Sequence, residues 1–237
     1  MNEKKNIGSL FDRIASDYDF LNHLLSLNID KRWRRKAIAT LQHTDNRQCL
    51  DVAIGTADLS IEMLRQNPDT TVQGIDLSEQ MMKIGKEKVE KKRLGDKVEF
   101  LKASALEMPF ADNSFDIVMC GYGVRNFSDL DKGLREMQRV LKQRGELMIL
   151  EFSYPKNRLI AWAYDIYFSH ILPWVGRVVS KDKSAYTYLN KSVKHFIWGE
   201  AMIQHLKQAG FDCCHYKPLT FGITTIYNAV KPSATNH

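Results

Sequence analysis

The chain has 237 residues, 44% of them hydrophobic and 26% charged, which suits one large α/β domain, or one domain with an added cap, in an ordinary globular protein. The net charge of +6 permits an anionic partner, either nucleic acid or a membrane surface. Cys49, Cys120, Cys213 and Cys214 form no C-x-x-C pair and have no zinc-like histidine spacing, so no metal site is expected, and the polar stretch Met1–Ser9 is unlike a signal peptide, which points to the cytoplasm.

Taken in chain order, Leu10–Leu27 and Asp30–Leu41 read as two helices, the second carrying the basic cluster Asp30–Lys36 as a surface face. Strands are predicted at Gln48–Ala53, Thr71–Ile75, Lys97–Lys102, Phe115–Gly121 and Gly145–Phe152. Helix patterns lie between them at Asp58–Gln66, Ser78–Leu94 and Ser128–Lys142, the last with Ser128 as its N-cap. Such alternation implies a mainly parallel sheet with helices on both faces. Asn157–Val179 is long, aromatic and apolar, but charges interrupt it and make it a poor membrane span. A helix at Gly199–Ala209 and two strands, Phe211–Leu219 and Thr224–Val230, complete the pattern with an antiparallel hairpin at the sheet edge. One domain over 1–237 is therefore expected. Its parts are a helical cap (1–45), a core (46–152), a helical insertion on the substrate side (153–198), and a final helix with the edge hairpin (199–231).

Chemistry concentrates at strand ends. The first strand runs into Asp51, then a small-residue turn, Ala53-Ile-Gly55-Thr-Ala57, that lets backbone approach a ligand closely. The second ends in Asp76, about 20–25 residues on, where an α/β nucleotide fold holds ribose hydroxyls with an acid. The turn fails the G-x-G-x-x-G dinucleotide pattern, and no P-loop occurs. A strand ending in Asp before a small-residue loop is instead the form used by S-adenosylmethionine-dependent methyltransferases. Ser104 could hold an adenine edge at the end of the third strand, with Ala105 leaving room for the ring.

With Gly121-Tyr-Gly-Val-Arg-Asn-Phe-Ser-Asp129 and Leu141–Ser153, these motifs make the chain resemble the demethylmenaquinone/ubiquinone-precursor C-methyltransferases. The resemblance spans nearly the whole length, from Phe11–Asn22 and Trp33 to Leu219–Gly222. It implies a Rossmann-like class I methyltransferase sheet, S-adenosylmethionine as cofactor, and cofactor contacts at Thr56, Asp76, Ser104, Ala105 and Gly121, beside Asp51 and Gly55 of the first turn. Ile54 and Ala57 stand where the family usually has glycine, and Ser104 replaces a common Asn or Asp, so Ile54 must point away from the methionine moiety.

The implied reaction is C-methylation of a polyprenyl quinol, demethylmenaquinol before the benzoquinol precursor of ubiquinone. Arg125 is assigned to stabilise the developing quinolate, being too basic to accept a proton, and Asn126 to orient the ring oxygen. Tyr18 is assigned to the pocket wall as a hydroxyl contact. The aromatic segment Trp162–Trp174 reads as a lip for the polyprenyl tail, with peripheral membrane contact allowed. A homodimer is also allowed. Nucleic acid is disfavoured because Gly121–Asn126 lacks the [Asp/Asn]-Pro-Pro-aromatic element. Cofactor motifs alone do not name an acceptor, so another small molecule or lipid, and a non-catalytic cofactor-binding scaffold, stay open.

Overall fold

The inner strands of the central sheet are apolar runs whose two faces are both covered, the pattern expected when helices flank a parallel sheet on both sides, whereas the two edge strands stay largely exposed. The computed structural model describes residues 8–9, 11–13, 15, 28–42, 46–166 and 192–233. Its strands are β1 (Gln48–Val52), β2 (Thr71–Asp76), β3 (Val98–Lys102), β4 (Phe115–Gly121), β5 (Leu141–Phe152), β6 (Asp212–Leu219) and β7 (Thr224–Val230). They form one seven-stranded sheet in the order β3-β2-β1-β4-β5-β7-β6. β1 to β5 pair in parallel, whereas β7 runs antiparallel to both β5 and β6.

The helices are α1 (Ile29–Ile38), α2 (Asp58–Gln66), α3 (Glu79–Lys91), α4 (Leu130–Val140), α5 (Arg158–Ile166) and α6 (Glu200–Gln208). Residues 8–9, 11–13 and 15 are also helical. Along β4 the side chains alternate, so Val118 and Cys120 enter one apolar cluster with Leu134, Met137 and Leu206 of α4 and α6. Ile117 and Met119 enter the other, with Trp33, Ile38, Met63 and Met82 of α1, α2 and α3. The expected sheet, its edge hairpin and its two helical layers are therefore all present.

Two boundaries and one buried face differ from expectation. Asp129, not Ser128, caps α4, its carboxylate accepting the Lys132 N–H at 2.9 Å. α4 then stops at Val140, because Leu141 is extended (φ −68°, ψ 138°) and pairs with Phe115 at the start of β5. Leu141 is instead fully buried as part of the sheet. Finally, the supposed surface helix α1 buries Asp30 and Trp33; the Trp33 indole N–H donates to Thr220 Oγ1 at 2.7 Å, which ties α1 to the turn before β7. The predicted helix Leu10–Leu27 and the run Asn157–Val179 lie largely outside the described residues.

Among the described residues no helix is long and apolar enough to cross a membrane, and no group of three or more His, Cys, Asp or Glu is placed to hold a metal ion. All four cysteines are free thiols, Cys49 and Cys120 fully buried in the sheet.

Candidate active site

The carboxyl ends of β1, β2 and β4 open into a cavity walled by Asp51, Gly55, Thr56, Asp76, Ser104, Ala105 and Gly121. Asn126 lines the same cavity. All seven residues expected to touch the cofactor are thus brought together, and one of the three assigned to catalysis stands beside them. Tyr18 lies outside the described residues.

The first turn is built on left-handed backbone at alternate positions, Ala53 (φ 59°), Gly55 (φ 53°) and Ala57 (φ 64°). Only glycine adopts that region without penalty, so the two alanines hold a curve that their side chains oppose. The turn is pinned across the sheet: the Ile54 N–H donates to the Ile75 carbonyl at 3.0 Å, and the Gly55 N–H donates to the Asp76 carboxylate at 2.9 Å. Ile54 is accommodated by Gly74 on β2, because a Cβ at Gly74 would fall 2.1 Å from the Ile54 Cδ1 atom. That close approach seats the end of Ile54 against β2, although Ile54 still lines the cavity.

Asp76 also accepts the Ser78 N–H at 2.9 Å. A carboxylate offers about four lone-pair sites, so capacity remains for the two hydroxyls of a ribose. Burial raises its pKa, opposed by the N–H groups of Ser78, Gly55 and Leu77. Asp51 is 1% exposed. Burial pushes its pKa to about 7, against the lowering effect of the Ser60 hydroxyl, which donates to it at 2.6 Å, and with the charge of Asp76 adding to the rise. Ser104 Oγ accepts the Leu106 N–H at 3.1 Å, so its hydroxyl hydrogen is available to a ring nitrogen. The loop carrying Ser104 is knotted by Arg139, whose guanidinium donates to the carbonyls of Met108 and Phe110 at 3.0 and 2.7 Å.

Arg125 is placed otherwise than its sequence assignment required. Its guanidinium does not line the cavity; it is buried against Glu151, Nη1 to Oε1 at 2.7 Å, with side-chain exposures of 3% and 0%. Nη1 also donates to the Tyr122 carbonyl, and the guanidinium carbon stands 5.3 Å from the centre of the Phe152 ring. The other Glu151 oxygen accepts the Arg125 N–H at 3.2 Å, and Oε1 accepts the Phe152 N–H at 2.8 Å. A buried cation needs such a partner, and Glu151 lies too far along the chain for a local motif to reveal it. The pair fixes the turn Val124–Asn126 and so holds Asn126 at the cavity wall.

Several wall residues escaped the sequence reading. Arg34 of α1 lines the cavity, its Nη2 2.7 Å from Asp30 and 3.1 Å from Asp58. Burial works against its charge, but Asp58 and Asp30 outweigh it and hold its pKa above the ordinary value. Lys88 bonds to Asp58 and donates to Thr56 Oγ1 at 3.2 Å. The tight Asp30–Arg34 spacing within a helix was the available signal. Tyr122, in left-handed backbone (φ 60°), stacks obliquely on Phe152 with ring centres 4.4 Å apart and borders the cavity. Burial raises its pKa, so it stays a neutral phenol. Leu77, 49% exposed, and Leu106 supply apolar wall for a flat ring.

A buried acid for a ribose, a hydroxyl donor for a base edge, an apolar slot and a deep carboxylate suited to a cation fit S-adenosylmethionine, and on this doubly covered sheet with its reversed β7 they define a class I methyltransferase dependent on that cofactor. Among solved structures, the [4+2]-cyclase SpnF superposes with a TM-score of 0.72 at 16% identity, covering 98% of this chain and 97% of that one. Haemonchus contortus phosphoethanolamine N-methyltransferase 2, solved with S-adenosylhomocysteine, superposes at 0.62 and 17% identity over 84% of this chain and 52% of its own. At such identities these likenesses speak to fold alone. The chain belongs to the ubiE/COQ5 methyltransferase family, which it matches over residues 1–231. It is 43% identical to the demethylmenaquinone methyltransferase of Bacteroides fragilis over 229 residues, 97% of this chain and 94% of that protein. The ubiquinone/menaquinone biosynthesis C-methyltransferase UbiE of Geotalea daltonii is 40% identical over 228 residues, 96% of this chain and 97% of its own.

Proposed function

We propose that this chain methylates a ring carbon of a polyprenyl quinol, with demethylmenaquinol as the principal acceptor and the methoxy-polyprenyl-benzoquinol of ubiquinone synthesis as the second. The observation that carries the reading is the cavity at the ends of β1, β2 and β4, in which Asp76 is fixed by two backbone N–H groups and keeps lone pairs to spare. It occurs in a chain matched end to end by relatives named for this reaction.

When bound, S-adenosylmethionine supplies an electrophilic sulfonium methyl. Asp76 takes the ribose hydroxyls, Ser104 and Ala105 the adenine edge, and Gly55, Thr56 and Gly121 the close backbone approach. The deep Asp51 carboxylate complements positive charge once ionised. A quinol hydroxyl ionises near pH 10 when free, so electron density at the attacking carbon grows as that proton leaves. Asn126 orients the ring oxygen from the wall, while Arg125 acts through the backbone as a positioning residue, held by Glu151. Tyr18 keeps its assignment as a wall hydroxyl. Fixing two reactants in line is worth on the order of 7–11 kcal/mol of a barrier, which makes the rigidity of the turn Val124–Asn126 part of the chemistry.

Purified protein incubated with radiolabelled S-adenosylmethionine and each demethylated quinol is expected to label the naphthoquinol. Tight cofactor binding with neither quinol labelled would remove the acceptor assignment.

A further inference from the structure

We propose that the exposed face of α5, together with the tip of the turn Thr220–Gly222, is a docking surface for an anionic lipid bilayer. The proposal rests on the quinol reading, since a polyprenyl substrate resides in such a bilayer. Six large apolar side chains are exposed among the described residues, and four of them lie here: Leu159 (73%), Trp162 (62%), Ile166 (36%) and Phe221 (75%). Leu159, Trp162 and Ile166 fall at i, i+3 and i+7, one face of α5, while Tyr164 on the opposite side is buried. Ile160 of α5 and Phe221 line one groove together with Ser153 and Thr225.

Phe221 carries the second, independent observation. Thr220 (φ 45°) and Phe221 (φ 58°) are both in left-handed backbone, a region that a bulky side chain enters only with strain. The folded chain gains nothing from burying a ring that is three-quarters exposed. The strained turn instead holds that ring out from the protein, at the carboxyl end of the sheet where Phe152 pairs with Thr224 and where the active-site cavity opens.

The charge beside this face selects the occupant. Lys156 and Arg158 are exposed at its border, and neither forms an ion pair among the described residues. Lys156 also holds its ammonium 5.5 Å from the centre of the Trp198 ring. Apolar side chains led by Trp and Phe, rimmed by cations, match the boundary between acyl chains and acidic headgroups. Asp165, the nearby acid, is engaged by Lys194 at 2.7 Å and by the Tyr154 hydroxyl at 2.6 Å. A second copy of the chain would bring these cations against themselves.

The test is co-sedimentation of the full chain with vesicles of phosphatidylglycerol and phosphatidylcholine in equal parts, beside vesicles of phosphatidylcholine alone. Wild type is expected to bind the anionic vesicles at least tenfold more strongly, with the preference fading as salt is raised. The variants Phe221→Glu and Leu159→Glu/Phe221→Glu are expected to lose binding, the double variant about tenfold or more. They should keep a wild-type circular dichroism spectrum and wild-type methylation of a short-tailed soluble quinol, while turnover of a long-tailed quinol in vesicles falls. Loss of vesicle binding in the variants supports the surface even if no quinol is methylated, which separates this proposal from the substrate assignment. Vesicle binding that survives both variants overturns it. So does a wild-type dimer that the variants convert to monomers without any vesicle binding.

Discussion

Asp51 is sealed at the end of β1 with a pKa near 7, so its protonation state at neutral pH is set by what enters the cavity. The sign for folding is the reverse of the usual carboxylate case. Because the folded-state pKa is raised, the folded protein keeps a proton that the unfolded chain gives up from about pH 4 upward, and stability falls as pH rises from there to about 7. The full effect is on the order of 4 kcal/mol. Asp51→Asn retains an oxygen for the Ser60 hydroxyl and is expected to melt higher than wild type at pH 8, with a flatter pH profile between pH 5 and 8. A cationic cofactor draws Asp51 into its ionised form and expels the proton. Calorimetric titrations at pH 6.5 in buffers of different ionisation enthalpy should therefore differ for wild type and coincide for the variant. Ala57 presents a second residue-level test. Left-handed alanine costs about 1–2 kcal/mol, offset by the greater unfolded freedom of glycine and by loss of a fully buried methyl worth about 0.8 kcal/mol, so Ala57→Gly is expected to stay within about 0.5 kcal/mol of wild type in urea melts.

Between β4 and β5 the Arg125–Glu151 pair joins the turn Val124–Asn126 to the end of a central strand. Truncating one partner leaves the other charge buried, typically a loss of 3–5 kcal/mol. Arg125→Ala is thus expected to lower the melting temperature and the turnover together, rather than turnover alone as a substrate-facing arginine would. Replacing both with methionine should recover most of the stability but little of the turnover, since the turn would be packed without being oriented. Recovery of both would show that Asn126 needs no such support. This pair also marks where the sequence stopped being legible. Asp51, Asp76 and Ser104 could be read because each sits at the end of an apolar run, and strand ends converge in a parallel sheet. Arg125 sits at a strand end too, but its side chain is claimed by an acid 26 positions away, and no periodicity encodes that. Arg34 was missed for the opposite reason: a helix rich in cations reads as solvated until its buried Trp33 and Asp30 are seen.

Across the whole molecule, access to the cavity is governed by residues that precede the sheet. Gly8 and Phe11 form part of the wall, and they are held there by Asp12, whose carboxylate accepts the Ser78 hydroxyl at 2.6 Å and the Gln80 N–H at 3.2 Å. Ser78 Oγ in turn accepts the Met81 N–H at 3.2 Å, so the cap of α3 and the latch of the N-terminal segment share one hydroxyl. The anion also faces the positive end of the α3 dipole. A ligand leaving past Gly8 and Phe11 has to displace this latch, whereas the sheet beneath it is undisturbed. One such hydrogen bond is worth about 1 kcal/mol, so Asp12→Ala is expected to speed cofactor dissociation about fivefold while leaving the melting temperature of the free protein nearly unchanged. Deleting residues 1–13 should speed dissociation further, because the wall itself is then lost. Stopped-flow displacement by S-adenosylhomocysteine measures both rates, and equal rates in all three proteins would mean that the cofactor leaves by another route than past Gly8 and Phe11.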